Sequence, residues 1–285
     1  MGLNVIRKVI LITGCSSGIG LNAAIQLNEQ GYQVIASCRK AEDVARLRAL
    51  NLQAVQLDVS NMESIRAAFA EVMILTSGRL DVLINNAGYG QVGALEDVST
   101  EVLSQQFATN VFGLHELYRL AIPVMRKQGS GRIINISSIL GLVSLAFRGA
   151  YCASKYAVEG LTDTLRLELA SSGIKVIAIE PGPIESNFRD RCVDVSLQLI
   201  DRTESFFSKQ YAVMLARYQS RANDSVFTLK PQAVIDKIIH AIEAKRPKPK
   251  YVITFPAHFM VFLKRILSNR LLHRFLLLAS RQDLA

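Results

Sequence analysis

The chain has 285 residues, half of them hydrophobic, and a formal net charge of +9; it is long enough for one large domain or two small ones. Its 4 cysteines form no C-x-x-C pair and no histidines flank them at ligand spacing, which excludes a disulfide framework or zinc site and fits a reducing, cytoplasmic setting. The lysines and arginines make no aromatic-interleaved basic face, so nucleic acid is not an indicated partner.

In chain order, the basic pair Arg7-Lys8 precedes an apolar run too short for a signal peptide, and this run reads as a buried first strand over Val9–Thr13. Further short apolar runs at Gln33–Ser37, Leu52–Leu57, Val82–Asn85, Arg132–Ser137, Lys175–Glu180 and Tyr251–Thr254 are rich in β-branched residues and in several cases apolar on both faces. That pattern marks strands of a parallel sheet covered on both sides. Helical patterns alternate with them. Gly18–Gln30 stops at Gly31; Ser60–Thr76 opens on a serine with Glu63 three positions on, a capping box; Gly149–Ser172 stops at Gly173. Repeated β-α-β units with right-handed crossovers predict an α/β, single-domain, doubly wound Rossmann fold with a seven-stranded parallel sheet. The expected divisions are a Rossmann unit over 1–254 with a substrate lid at 185–230, and a helical tail over 255–285.

Thr13-Gly14-Cys15-Ser16-Ser17-Gly18-Ile19-Gly20 lies between the first strand and the first helix. Glycines there let phosphate approach main-chain N–H groups at a helix N-terminus. At the end of the second strand a site for NAD wants a carboxylate for the ribose 2′-hydroxyl. The sequence has Ser37-Cys38-Arg39-Lys40 instead. Arg39 suits a 2′-phosphate, so the expected cofactor is NADP(H), unless Arg39 is an ordinary surface arginine.

Tyr151 and Lys155 stand four residues apart on one face of the long helix. A tyrosine ionises near pH ~10, and a neighbouring ammonium favours the phenolate, which would bring it toward working pH. The spacing alone says little. Combined with Thr13-Gly14-x-x-x-Gly18-Ile19-Gly20, Asn85-Asn86-Ala87-Gly88, Ser138 and Pro181-Gly182, it resembles the short-chain dehydrogenase/reductase family over roughly residues 6–190. In detail the chain is similar to that family's bacterial NADP-dependent aldehyde reductases and to its 17β-hydroxysteroid and retinol dehydrogenase branch.

The resemblance implies roles. Tyr151 is the general acid, Lys155 binds the nicotinamide ribose and lowers the Tyr151 pKa, and Ser138 rather than Ser137 polarises the substrate oxygen. Asn110 holds a water in a proton relay to Lys155. Gly14, Ser16, Ser17, Gly18, Ile19 and Gly20 cradle the phosphates. Asp58 and Val59 contact the adenine, Asn86, Ala87 and Gly88 the adenosine ribose, and Pro181, Ile184 and Ser186 the carboxamide. Asp58 and Asn110 also have a plain reading as caps, and Cys15 and Cys152 adjoin the motifs.

The lid segment is apolar through Val193, Val195, Leu197, Leu199, Ile200, Phe206, Phe207, Tyr211, Met214 and Leu215, and faces Tyr89, Val92, Leu140, Leu142 and Val143. It predicts an apolar pocket, with Arg148 more a surface residue than a carboxylate partner. The tail, with Lys264, Arg265, Arg270, His273 and Arg274 among its apolar residues, is too charged to span a bilayer. It packs over the pocket or a sister subunit, or makes a peripheral contact with an anionic membrane. The implied activity is NADPH-dependent reduction of an aldehyde or ketone. The alternatives are NADP-dependent oxidation of a hydroxysteroid- or retinol-like alcohol, or a non-catalytic NADPH-binding regulator. The family commonly forms dimers or tetramers.

Overall fold

The computed structural model describes residues 7–186, 188–219 and 227–282. The start of the expected Rossmann unit, parts of the expected lid (187 and 220–226) and the end of the expected tail lie outside the described residues. The elements run β1 (Val9–Ile12), α1 (Gly18–Glu29), β2 (Gln33–Cys38), α2 (Ala41–Ala49), β3 (Gln53–Gln56), α3 (Met62–Leu75), β4 (Val82–Asn85) and α4 (Thr100–Phe107). They continue as α5 (Gly113–Gln128), β5 (Gly131–Ile136), α6 (Gly149–Glu168), β6 (Ile174–Pro181), α7 (Phe188–Leu199), α8 (Ser208–Gln219), α9 (Gln232–Glu243), β7 (Lys250–Ile253), α10 (Phe255–Ile266) and α11 (Asn269–Gln282).

The strands form one seven-stranded sheet in the order β3-β2-β1-β4-β5-β6-β7, with every pairing parallel. The alternation of side chains along β1 explains why its four residues are all apolar. Ile10 and Ile12 point into a core shared with α1 and α9 through Ala24, Leu27, Ile235 and Ile238. Val9 and Leu11 point into the opposite core, with Phe69 of α3, Leu117 of α5 and Val158 of α6. A strand buried on both faces favours apolar residues throughout, because a polar side chain there needs a buried partner, as Ser37 of β2 finds in the Ile12 carbonyl at 3.1 Å.

Two local readings need correction. The cap of α3 is Asn61, whose side chain accepts from the N–H groups of Glu63 and Ser64, while the Ser60 hydroxyl turns back to Asp58 at 2.6 Å. An Asn serves as well as Ser at this position, and only the backbone decides which of two adjacent polar residues takes it. Likewise α6 ends at Glu168, short of the expected Ser172, and the chain reaches Gly173 through a turn. No described helix is long and apolar enough to cross a membrane.

The order changes direction between β1 and β4, so the connections after these two strands leave on opposite sides of the sheet. Such a switch opens a crevice at the carboxyl ends of the strands.

Candidate active site

A cleft of about 1250 Å³ occupies that crevice, lined from the ends of β1 to β6. From β1, Gly14 holds φ +73° and lies so close to β4 that an added Cβ would come within 2.7 Å of the Ala87 Cα, so only glycine fits. Thr13 ties the same two strands. Its hydroxyl oxygen accepts from the N–H groups of Asn86 and Ala87, both at 3.0 Å, and the Asn86 amide donates back to the carbonyls of Thr13 and Gly14. This leaves α1 with an open N-terminus facing the cleft: Ser17 makes no side-chain capping bond and no acid lies in the first turn. Those uncommitted N–H groups and the helix dipole favour an anion.

At the end of β2, Arg39 is exposed on the cleft wall. Two further arginines gather at the glycine loop. The Arg46 guanidinium donates to the Ser16 carbonyl and Arg191 reaches the Ser16 hydroxyl at 3.5 Å. Asp43 also borders the cleft, but its carboxylate is paired with Arg46 at 2.8 Å. Asp58 turns its Oδ1 to the Ser60 N–H and hydroxyl, closing a local turn at the rim. Ser16, Ser17, Gly18, Ile19, Val59, Ala87, Gly88, Pro181, Ile184 and Ser186 also line the cleft.

On the other side the first turn of α6 presents Tyr151 and Lys155 to the cleft, and Ser138 faces them from the end of β5. The Ser138 hydroxyl hydrogen-bonds to the Tyr151 phenol, which favours the phenolate, but burial outweighs it and pushes the Tyr151 pKa well above its usual value. Lys155 is buried, donates to the Ile136 carbonyl at 2.8 Å and stands 5.7 Å from the centre of the Tyr151 ring. Desolvation lowers its pKa to about 8, and the charge of Glu159 opposes this. The expected lowering of the tyrosine is therefore not what these residues do by themselves: low-dielectric surroundings penalise both charged forms.

Asn110 and Gly20 do not line the cleft; each supports residues that do. Asn110 sits in a π-helical turn, Ala108–Phe112, inserted between α4 and α5. Such turns re-aim side chains within a continuous helix. The Asn110 Oδ1 accepts from the Tyr89 N–H, and its Nδ2 donates to the Tyr89 carbonyl and to Ser154. Ser154 in turn donates to the Tyr151 carbonyl at 2.8 Å.

Beneath Lys155 lies a cluster of charge. Lys250 of β7 bonds Glu159 of α6 at 2.7 Å and Asp163 at 3.0 Å, and approaches Glu180 of β6 at 3.6 Å. Glu159 and Glu180 are buried, and burial together with the nearby Glu159 charge pushes the Glu180 pKa up to about 7.

The substrate side differs in detail from the sequence reading. Tyr89, Leu140, Val195 and Met214 line the cleft; Val92, Leu142 and Val143 do not, and Val92 and Val143 are packed in the interior. The Leu197 side chain lies outside the described residues. Arg148, expected at the surface, borders the cleft half-buried. Cys15 and Cys152 are buried behind the wall, and the cysteines that line it are Cys38 at the end of β2 and Cys192 of α7. Gly90 donates its N–H to the Cys192 sulfur at 3.1 Å and packs on the phenol, where an added Cβ would sit 3.2 Å from the Tyr151 ring. Phe188 stands against the same ring, centroids 5.9 Å apart. Nothing in the local pattern around Gly90, Phe188, Arg191 or Cys192 signals these contacts, which depend on where α7 lies.

A family model described as short chain dehydrogenase matches residues 8–194. The Escherichia coli (strain K12) protein named "Uncharacterized oxidoreductase YbbO" is 42% identical over 272 residues, 95% of each chain. The Homo sapiens 17-beta-hydroxysteroid dehydrogenase type 1 is 34% identical over 260 residues, 87% of this chain and 78% of that one. Among solved structures, the closed form of a serine dehydrogenase complexed with NADP+ superposes with a TM-score of 0.73 at 25% identity, covering 86% of this chain and 94% of the other. A 4-hydroxyisoleucine dehydrogenase complexed with NADH superposes with a TM-score of 0.67 at 26% identity, covering 87% and 96%.

Proposed function

The chain belongs to the short-chain dehydrogenase/reductase family, and from that premise we propose that it reduces an apolar aldehyde or ketone to the alcohol with NADPH. It is an oxidoreductase, and its cofactor is a nicotinamide dinucleotide, which when bound supplies or accepts hydride. The observation that carries the proposal is the convergence of Ser138, Tyr151 and Lys155 on one cleft whose far end holds Arg39 beside an uncapped helix, with Arg46 bonded to the Ser16 carbonyl of the glycine loop.

The residues suit the cofactor. Bare backbone at Gly14 and Gly18 and the open N-terminus of α1 fit a pyrophosphate held by Ser16, Ser17, Gly18 and Ile19, with Gly20 packed behind. Asp58 and Val59 would hold the adenine, Asn86, Ala87 and Gly88 the adenosine ribose, and Pro181, Ile184 and Ser186 the carboxamide. Arg39 is assigned to the 2′-phosphate. Asp43, the acid that might hold a ribose hydroxyl instead, is already neutralised by Arg46.

The chemistry assigned to the chain is proton transfer. A phenol held well above its usual pKa is fully protonated at neutrality, which is the form a general acid for reduction must have. Ser138 donates to the developing oxyanion and keeps Tyr151 oriented. Lys155, retained as a cation by Glu159 and by negative charge brought beside it, stabilises the phenolate left after transfer. Asn110 acts as a positioning residue that holds Tyr89 and Ser154 in place, and as the family's relay asparagine. We take residues 1–254 as the catalytic unit, 185–230 as its lid and 255–285 as a tail. Exposed Phe112 and Leu167 beside α5 and α6 support a homodimer or homotetramer.

The relatives favour a second reading, the oxidation of a hydroxysteroid- or retinol-like alcohol. One experiment separates the two: NADPH consumption and NADP+ reduction across a panel of aldehydes, ketones, steroids and retinoids, with Tyr151→Phe as control. No turnover above the control in either direction would leave only a binding role.

A further inference from the structure

Helix α10 turns two unlike faces in and out. On the packed side Ala257 is fully buried, and at the rim the exposed Lys264 donates its ammonium to the Leu142 carbonyl and lies 5.3 Å from the centre of the Tyr156 ring. Outward, Phe255, Phe259, Phe262 and Ile266 follow one another at i, i+4, i+7 and i+11, which is a single stripe on a helix of 3.6 residues per turn. These four are 68%, 41%, 55% and 58% exposed. A stripe of this kind ordinarily faces a core. Here it points away from the one the helix packs on. Helix α11 adds exposed Leu271 and Leu278, with Arg270 and Arg274 exposed among them.

The charge around this surface has one sign. The sequence of the hairpin, from Phe255 to Gln282, holds five lysines and arginines and no Asp or Glu. We propose that the α10–α11 hairpin is a docking surface for an anionic lipid bilayer. The hairpin lies in the plane of the interface, with the phenylalanine stripe among the acyl chains and Arg265, Arg270 and Arg274 against acidic headgroups. The two helices are too short and charged to span, so they rest on the bilayer. The charge argues against a second copy as the occupant, because a two-fold contact through this face would bring two cationic surfaces together.

The position gives the contact a use. Ser280 of α11 accepts from the Ala146 N–H at 3.2 Å, and Lys264 holds Leu142, so the hairpin is fastened to the segment 139–148. That segment lines the cleft through Leu140, Leu145, Phe147 and Arg148. Docking therefore brings the rim of the cleft down to the bilayer, where apolar carbonyl compounds partition. The lipid contact itself does not depend on the reaction assigned above.

The test is co-sedimentation of the full chain with vesicles of phosphatidylcholine alone and of phosphatidylcholine with about one third phosphatidylglycerol, at about 20 mM and 500 mM salt. Binding at least tenfold stronger to the anionic vesicles, and weakened by salt, is the expected result. The double variant Phe262→Glu, Ile266→Glu and the triple variant Arg265→Glu, Arg270→Glu, Arg274→Glu change exposed side chains only. Each should lose binding at least tenfold while the melting temperature and the turnover of a water-soluble carbonyl stay unchanged. Failure of the wild type to bind anionic vesicles at low salt overturns the proposal, as does equal binding by both variants. A dimer in light scattering that Phe262→Glu dissociates, with no vesicle binding, assigns the face to a second copy instead.

Discussion

Glu159 and Glu180 meet carboxyl to carboxyl beneath the candidate site, each with one buried oxygen that has no hydrogen-bond partner, and with Lys250 beside both. Two buried carboxylates and one ammonium leave an unbalanced negative charge, so the pair retains a proton and the Glu180 pKa rises to about 7. A carboxyl whose folded pKa lies above its usual 4.5 adds stability that is present in acid and lost as the pH rises toward 7. Glu180→Gln keeps the neutral shape. The difference in urea midpoint between wild type and this variant should therefore move in the variant's favour from pH 5 to pH 8, with Asp163 and Lys250 unchanged. A difference independent of pH would show that Glu180 is ionised throughout.

Replacing the Tyr151 phenol tests the proton transfer. Tyr151→Phe keeps the ring between Gly90 and Phe188 and removes only the hydroxyl, so the fold should persist while kcat falls by about 10²–10⁴-fold. Ser138→Ala should cost about 10²-fold in kcat with little change in KM for the cofactor. Circular dichroism and steady-state rates together decide whether the loss is chemical.

Lys155 carries a cost for its position. A pKa lowered from 10.5 to about 8 by burial corresponds to roughly 3 kcal/mol of destabilisation at neutral pH. A group with a depressed folded pKa regains that stability as the pH rises from about 8 toward 10.5. Lys155→Met should therefore melt at a higher temperature than wild type at pH 7, with the gap narrowing toward pH 10, while losing activity at least about 10²-fold. A lower melting temperature for Lys155→Met at pH 7 would mean that the bond to the Ile136 carbonyl outweighs the desolvation of the ammonium.

Cofactor choice should follow Arg39 at the far end of the cleft and Arg46 at the glycine loop. Arg39→Ala removes one partner for a 2′-phosphate and should raise the KM for NADPH about tenfold or more, leaving that for NADH nearly unchanged. Arg46→Ala should do less, and in part the opposite, because it frees Asp43 from its ion pair. Equal effects of Arg39→Ala on the two cofactors would remove the NADPH assignment.

The sheet was legible because burial on two faces leaves little freedom: Val82–Asn85 falls at the expected residues, and each end of the other strands within one residue of its expected place. Helix ends were less so. Ser60 and Asn61 are both good caps, and only the tertiary path of the chain after β3 selects Asn61. In the cleft, the residues carried by glycine and Tyr-x-x-x-Lys motifs are placed by local geometry and could be read in advance. Cys192, Phe188 and Arg191 reach it from α7, and Arg46 of α2 reaches the Ser16 carbonyl of the glycine loop, so their proximity is a result of packing with no local signature. The same holds for Lys250, which looks like part of a surface basic run in the sequence and is instead the counter-ion of a buried acidic cluster.

The strand order also bears on how the chain comes to be folded. β1 pairs with β2 on one side and with β4, some seventy residues later, on the other. While the polypeptide emerges from the ribosome, the three strands β3-β2-β1 are complete before β4 exists, and the VILI edge of β1 is left unpaired for that interval. The most apolar strand of the protein thus waits as long for its second neighbour as β6 later waits for β7, and until β4 is made its exposed edge is a place where a nascent chain can mispair.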